Sequence, residues 1–333
     1  MRAWLSMSLS LSLALVASAP VLAEAPRTAL VIHGGAGVIE RGSLSPEDEQ
    51  AIRAELARAL DAGQAVLAGG GEALDAAMAA VEVLEDSPWF NAGKGAVFNA
   101  VGGHELDASL MEGHTRRAGA VAGVRTVRHP IALARAVMEH SPHVMLAGDG
   151  AEAFADTRPE IERVGPEWFD TERRRQQLED ARKRAAGQQA MRREHRWGTV
   201  GAVALDAQGH LAAATSTGGM TNKRWGRIGD SPVIGAGTWA DESCALSATG
   251  WGEFYIRNAV AHEVCARVRL RGEPLADAAQ AVVNGEVPAL GGDGGAIALD
   301  AQGNIAMPFN TPGMYRAWIA TDGSRGVALY DDE

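Results

Sequence analysis

At 333 residues the chain has room for one large domain or two ordinary ones, and its 46% hydrophobic and 22% charged residues exclude a disordered chain. Two cysteines, Cys244 and Cys265, exclude a disulfide framework and offer no C-x-x-C zinc or redox spacing. A net charge of −11 repels polyanions, so nucleic acid and anionic membrane surfaces are excluded as main partners and a small substrate is expected.

In chain order, the first segment reads as an address. Arg2 precedes an apolar stretch from Leu9 to Val16, and Val21-Leu22-Ala23 offers a small-residue cleavage pattern, as in a secretory signal peptide spanning 1–23. The alternative is an uncleaved anchor helix, which Pro20 and the short apolar core disfavour. A mature protein beginning near Glu24, secreted and most simply periplasmic, is the expectation. In that compartment Cys244 and Cys265 can pair if they lie close enough, a point the sequence leaves open.

Thr28 to His33 is a short apolar run ended by Gly34-Gly35-Ala36-Gly37, the pattern of a buried strand entering a tight loop. Ser45-Pro46-Glu47-Asp48 opens a helix through Leu60, with acids at its positive dipole end, and a second helix covers Glu72 to Glu85. Glycine-punctuated strands and turns are expected from Asn91 to Val127, then a helix from Pro130 to Met138. Residues 151–197 change character: Arg173 to Arg196 holds nine Lys/Arg against three Asp/Glu and almost no large apolar residue. This reads as a charged helix or flexible linker with a solvated face rather than a polyanion patch.

Beyond it, Gly198–Asp206 and Leu211–Thr215 flank the turn Ala207-Gln208-Gly209-His210 and form a hairpin. Ala296–Ala306 repeats the wording of Ala202–Ala212 almost residue for residue. Two like hairpins, with a helix around Trp251 to Arg271 between them, suggest stacked antiparallel sheets flanked by helices.

Several catalytic signals are absent. Gly35-Ala36-Gly37 lacks the third glycine of a dinucleotide loop, no G-x-x-x-x-G-K-[ST] occurs, His262-Glu263 is followed by Ala266 where a zincin needs His, and no G-x-S-x-G elbow appears. What remains is a set of threonines among glycines: Thr199, Thr215, Thr217, Thr221 and Thr249. A threonine attacks a carbonyl only with a base beside it, and its own α-amine serves once the chain is cut before it. Thr199, behind Gly198 at the end of the charged segment, suits that event; taken alone it reads more readily as an ordinary β-favouring strand residue.

Eight motifs decide between these readings. His33–Gly37, Asn91–Gly95, Glu105–Ala108, Gly198–Val203, Thr215–Gly219, Gly226–Pro232, Ala248–Gly250 and Gly291–Gly295 together resemble, in order, the plant-type (type III) L-asparaginase/isoaspartyl peptidases, a family of N-terminal nucleophile hydrolases. The resemblance implies an α+β fold, a four-layer αββα sandwich, in which an α fragment (24–198, linker about 151–197) and a β fragment (199–333) form one domain. It further implies autocatalytic cleavage between Gly198 and Thr199 and an (αβ)₂ assembly. Thr199 matches the nucleophile and base, and Thr217 its orienting threonine. Thr249 and Gly250 match the oxyanion hole, and Asn91 an active-site asparagine. Arg227, Ile228, Gly229 and Asp230 match the segment that reads the substrate α-carboxylate and α-amine, with Thr249, Gly250, Trp251 and Gly252 completing the substrate site. Without the match, Arg227 and Asp230 read as surface charge or a mutual salt bridge.

No cofactor is implied for catalysis. Leu84, Glu85, Ser87, Phe90, Ala92 and Lys94 match a loop whose backbone carbonyls hold a structural sodium ion. Two departures from the family pattern, Trp251 in place of a small or hydroxyl residue and a segment one residue shorter before Thr249, leave the leaving-group preference open. The implied activity is isoaspartyl peptidase with L-asparaginase activity on small substrates, asparagine or isoaspartyl dipeptides. Two alternatives stand beside it, a glycosylasparaginase and a non-catalytic periplasmic amino-acid-binding protein using Arg227 and Asp230.

Overall fold

Strand β1 (Ala29–Gly37) divides its side chains between two layers: Leu30 and Ile32 pack with helices, Ala29 and Val31 against a second sheet. The division follows the two-residue period of a strand, and a run apolar on both faces is what a strand buried between layers requires. The computed structural model describes residues 27–37, 39–186 and 198–333. The expected signal peptide and residues 187–197 of the expected linker lie outside the described residues.

The remaining strands are β2 (Leu106–Glu112), β3 (Ala118–Val124), β4 (Met145–Ala147), β5 (Val200–Leu205), β6 (Leu211–Thr217), β7 (Thr238–Ala240), β8 (Cys244–Gly250), β9 (Gly294–Asp300), β10 (Ile305–Ala306), β11 (Gly313–Ile319) and β12 (Arg325–Tyr330). They form an eight-stranded sheet, β12-β11-β1-β5-β6-β2-β3-β4, and a four-stranded sheet, β10-β9-β8-β7. All pairs are antiparallel except β3–β4.

Helices α1 (Pro46–Ala68), α2 (Ala73–Glu85) and α3 (Pro130–His140) pack on the outer face of the large sheet. The short α4 (Gly148–Asp156) packs on β3 and β4 at the sheet's edge, and α5 (Glu172–Ala186) follows in the chain. Helices α6 (Gly252–Asn258), α7 (Val260–Arg271) and α8 (Leu275–Gln280) cover the small sheet. The chain is therefore an α+β, four-layer αββα sandwich. The two similar hairpins fall in different sheets that face each other: Val203, Leu205, Leu211 and Ala213 meet Ile297 and Leu299 in the middle layer.

Local signals fixed most helix starts. The Ser45 hydroxyl accepts from Asp48 N at 3.1 Å and Pro46 takes the first turn; the helix then continues past Leu60 because Gly63 and Leu67 prolong its buried stripe. The single helix expected around Trp251–Arg271 is two, broken at Ala259 in the left-handed conformation, φ 47°. Cys265 of α7 and Cys244 of β8 are joined by a disulfide, which ties a helix to the strand beneath it.

Of the two alternatives for this segment the structure shows the charged helix, α5, with most of its residues at the surface, while 151–171 is docked through Ala151, Ala155, Ile161 and Phe169. Phe169 and Leu178 are buried, Arg174 Nε donates to Gly95 O at 2.6 Å, and His104 Nε2 meets Asp170 at 3.0 Å. A few anchors suffice to dock a segment whose mean composition is polar, because burial depends on which face carries them.

Candidate active site

The middle layer turns from apolar to polar toward one end. On β5, β6 and β8 the residues facing between the sheets are Val203 and Leu205, Leu211 and Ala213, and Ala245. Extending each by twos brings Thr199, Thr215, Thr217, Ser247 and Thr249 to the same layer. Three threonines distant in sequence thus converge because alternation is preserved across three strands.

Thr199 Oγ1 is hydrogen-bonded to Thr217 Oγ1 at 3.0 Å, and Thr217 Oγ1 also accepts from Gly219 N at 3.0 Å. The peptide carbonyl before Thr199, Gly198 O, accepts from Asn91 N at 2.9 Å. Asn91 spends its other groups on the same locus: Oδ1 accepts from Val97 N (2.9 Å), Nδ2 donates to Gly219 O (2.7 Å) and the backbone O accepts from Gly218 N (3.0 Å). It therefore clamps the Gly198 carbonyl to the turn that follows Thr217.

Thr249 is fully buried, and its Oγ1 accepts from Ala36 N at 3.3 Å, which latches it to the His33–Gly37 loop. Gly250 stacks on the Gly291–Gly295 segment so tightly that a Cβ would lie 2.5 Å from Asp293 O. Gly252 closes over the charged pair: a Cβ there would lie 2.8 Å from Asp230 Oδ1 and 3.0 Å from Arg227 Nη2. Gly229 likewise lies against Arg227 Nη1. Ile228 exposes 39% of its surface and turns outward. Trp251 packs edge-to-face on Phe254 with ring centres 5.0 Å apart.

Burial pushes the Asp230 carboxyl up to about 7 against the pull of Arg227. Its Oδ2 has no hydrogen-bond partner, so a buried acceptor is left for a cationic group. Arg227 is anchored by Glu253, which accepts from Nε at 3.0 Å and Nη2 at 2.8 Å. Glu253 was not singled out from the sequence.

Other buried polar groups were also missed. A hydroxyl chain crosses between the sheets: His33 Nε2 to Ser247 Oγ (3.0 Å), Ser247 Oγ to Thr215 Oγ1 (2.7 Å), Thr238 Oγ1 to Thr215 Oγ1 (2.6 Å) and Ser109 Oγ to Thr238 Oγ1 (2.8 Å). Ser109 Oγ ends it on Ser231 O at 2.6 Å, beside Asp230. Burial drives the His33 imidazole down to about 3, so it is neutral. Burial also raises Asp107 and lowers Lys223, whose Nζ donates to Glu105 O at 2.7 Å. Glu85 accepts from Ser216 Oγ at 2.5 Å and Ile131 N at 3.2 Å, and burial pushes its carboxyl well above the usual carboxylate range. Their one sequence signal was polar residues inside otherwise apolar strands.

In the 84–95 loop, a Cβ on Gly93 would lie 2.2 Å from Glu85 O, and one on Gly95 2.0 Å from Phe90 O and 2.9 Å from Pro88 O. Carbonyl oxygens crowd one turn. Among the described residues no group of three His, Cys, Asp or Glu side chains is placed to hold a metal.

A family model described as Asparaginase matches residues 26–329. The chain belongs to the asparaginase family. It is accordingly a hydrolase of the N-terminal nucleophile type. Among similar members of this family, the isoaspartyl peptidase of Escherichia coli (strain K12) is 51% identical over 313 residues, covering 92% of this chain and 97% of its own. The isoaspartyl peptidase/L-asparaginase of Mus musculus is 41% identical over 91% of this chain and 90% of its own. The plant-type L-asparaginase of Pyrobaculum calidifontis is 43% identical over 87% and 96%.

Proposed function

We propose that this asparaginase-family protein hydrolyses the side-chain amide of L-aspartyl units, in isoaspartyl peptides and in asparagine. The observation that carries the reading is the Thr199–Thr217 hydrogen bond at 3.0 Å, with the Gly198 carbonyl held by Asn91 N immediately before it. In the first stage Thr199 Oγ attacks the Gly198 carbonyl carbon, and the developing oxyanion lies on Asn91 N–H. The C–N bond breaks as the hydroxyl proton moves to the amide nitrogen. Water then cleaves the resulting ester, leaving a Gly198 carboxylate and a Thr199 amine, the boundary between an α fragment ending at 198 and a β fragment beginning at 199.

In the second stage that amine is the base. It takes the proton of Thr199 Oγ as the oxygen attacks the side-chain carbonyl, then delivers it to the departing amine or ammonia. Thr217 orients the nucleophile, and Thr249 Oγ1 with Gly250 N–H receives the oxyanion; one such donor is typically worth ~3 kcal/mol of barrier. Arg227 and Asp230 select the free α-carboxylate and α-ammonium. Water releases aspartate from the acyl-enzyme.

The same reading assigns Leu84, Glu85, Ser87, Phe90, Ala92 and Lys94 backbone carbonyls to a structural sodium. The inward carbonyls around Gly93 and Gly95 fit a hard cation that takes oxygen ligands, and no chemical step passes through it. It also includes export to the periplasm, which the Cys244–Cys265 disulfide supports because such bonds persist in oxidising compartments, and an (αβ)₂ assembly. Comparing turnover of β-Asp-Leu with that of GlcNAc-asparagine tests the reading: hydrolysis of the first is expected, and hydrolysis of the second alone would replace it with glycosylasparaginase.

A further inference from the structure

The turn between Thr217 and Arg227 presents an aromatic side chain against its backbone's preference. Arg227 N donates to Arg224 O at 3.0 Å, and the two residues between, Trp225 and Gly226, have φ of 57° and 67°. Two positive φ values inside such a bonded turn make it type I′, which favours Asn, Asp or Gly at both positions. A tryptophan there costs ~1–2 kcal/mol of backbone strain. It recovers nothing by burial, since Trp225 is 96% exposed. Strain retained at an exposed residue two positions from the arginine of the candidate site points to a ligand contact.

The neighbouring cation supports this. Arg224 is exposed, and its guanidinium has no hydrogen-bond or ion-pair partner among the described residues, whereas Arg227 is held by Glu253. The turn begins at Gly219, whose N–H bonds Thr217, and ends at Arg227. Its two ends thus lie at the proposed nucleophile and at the arginine assigned to the aspartyl unit. Because Asp230 is nearly fully buried and Ile228 turns outward, that unit enters first and the released part lies toward the exposed side.

We propose that Arg224 and Trp225 form the subsite for the residue released from the β-aspartyl bond. This rests on the function proposed above. Trp225 takes a large apolar or aromatic side chain and Arg224 takes its α-carboxylate, so isoaspartyl dipeptides with such a second residue are favoured over asparagine, whose leaving group, ammonia, needs neither contact. The planar guanidinium and the indole face match those two groups.

The test compares kcat/KM for β-Asp-Phe, its C-terminal amide and asparagine in the mature wild type, in Trp225→Gly and in Arg224→Gln. Trp225→Gly relieves the positive φ, so folding is not impaired. It is expected to lower the β-Asp-Phe to asparagine ratio roughly tenfold, the scale of one lost apolar contact in a specificity site. Arg224→Gln is expected to remove the advantage of β-Asp-Phe over its amide. An unchanged ratio, or a parallel fall for both substrates as expected if the turn merely holds Arg227, would overturn the subsite. Wild-type enzyme hydrolysing neither substrate would overturn the parent reading, and the subsite with it.

Discussion

Gly35 and Gly198 lie so close that a Cβ on Gly35 would sit 2.4 Å from Gly198 Cα. Gly35 also has φ +109°, a conformation that L side chains rarely adopt. The bond proposed for cleavage is thus seated on bare backbone. Gly35→Ala is expected to displace Gly198 from Asn91 N–H and leave most of the protein as a single chain, followed by gel over time. Gly150→Ala, where a Cβ meets open space, should process at the wild-type rate; equal processing of both variants would show that the close seat does not matter.

Thr217 bonds the nucleophile through its hydroxyl while its strand position is set by pairing with Asp107 and Val200–Leu205 neighbours on β5. Thr217→Val keeps the shape and removes the oxygen. We expect kcat to fall by about 10²-fold or more with little change in KM, the pattern of a group acting in the chemical step. Steady-state kinetics on chain already cleaved at Thr199 would check it.

Asp230 makes activity and stability respond to pH in opposite directions. Burial holds its carboxyl near 7, so in the free enzyme it is protonated below that pH and cannot pair with a substrate ammonium. The Thr199 amine, with an ordinary α-amino value of ~7.7–8, loses its basic form over the same range. kcat/KM for asparagine should therefore fall as pH drops through about 7, with a limiting slope steeper than one proton. The folded-state value lies above the unfolded 3.8, so the native state binds more protons and stability declines as pH rises from ~4 to ~7. In a Thr199→Ala background, Asp230→Asn should raise stability at pH 8 by roughly 2–4 kcal/mol and by nothing below pH 4. Urea titrations at the two pH values that give equal gains would contradict the assignment.

The Cys244–Cys265 disulfide closes a separation of 21 residues between β8 and α7. Loops of that size are typically stabilised by about 3 kcal/mol. The double variant Cys244→Ala, Cys265→Ala should unfold at a lower temperature while keeping its kcat well below that temperature. Loss of kcat without loss of stability would mean that the bond shapes the Thr249–Gly250 end of β8.

The fold was legible where residues act locally. Thr28–His33 reads as a strand because it is apolar on both faces, and Ser45-Pro46 as a helix start because cap and proline are adjacent. The repeated Ala202–Ala212 and Ala296–Ala306 wording foretold two stacked hairpins. For 151–186 the charged helix was legible in its composition but its docking was not, because its anchors, Phe169, Arg174 and Leu178, are too few to shift that composition. Thr199, Thr217 and Thr249 were legible through family resemblance; strand alternation explains their convergence only once the pairing is known. The His33–Ser247 contact, 214 residues apart in sequence, and the Lys223–Glu105 contact, 118 apart, carried no local signal. Trp225 is set apart only by its positive φ, which no local pattern in the sequence announces.

The central claim is that Thr199 becomes a chain terminus and thereby gains its base. Intact mass and N-terminal sequencing of the purified wild-type protein test it most directly. The account predicts two fragments, one of which begins at Thr199. A single uncut chain that nonetheless hydrolyses β-aspartyl substrates would contradict it, because Thr199 would then have no α-amine to act as base.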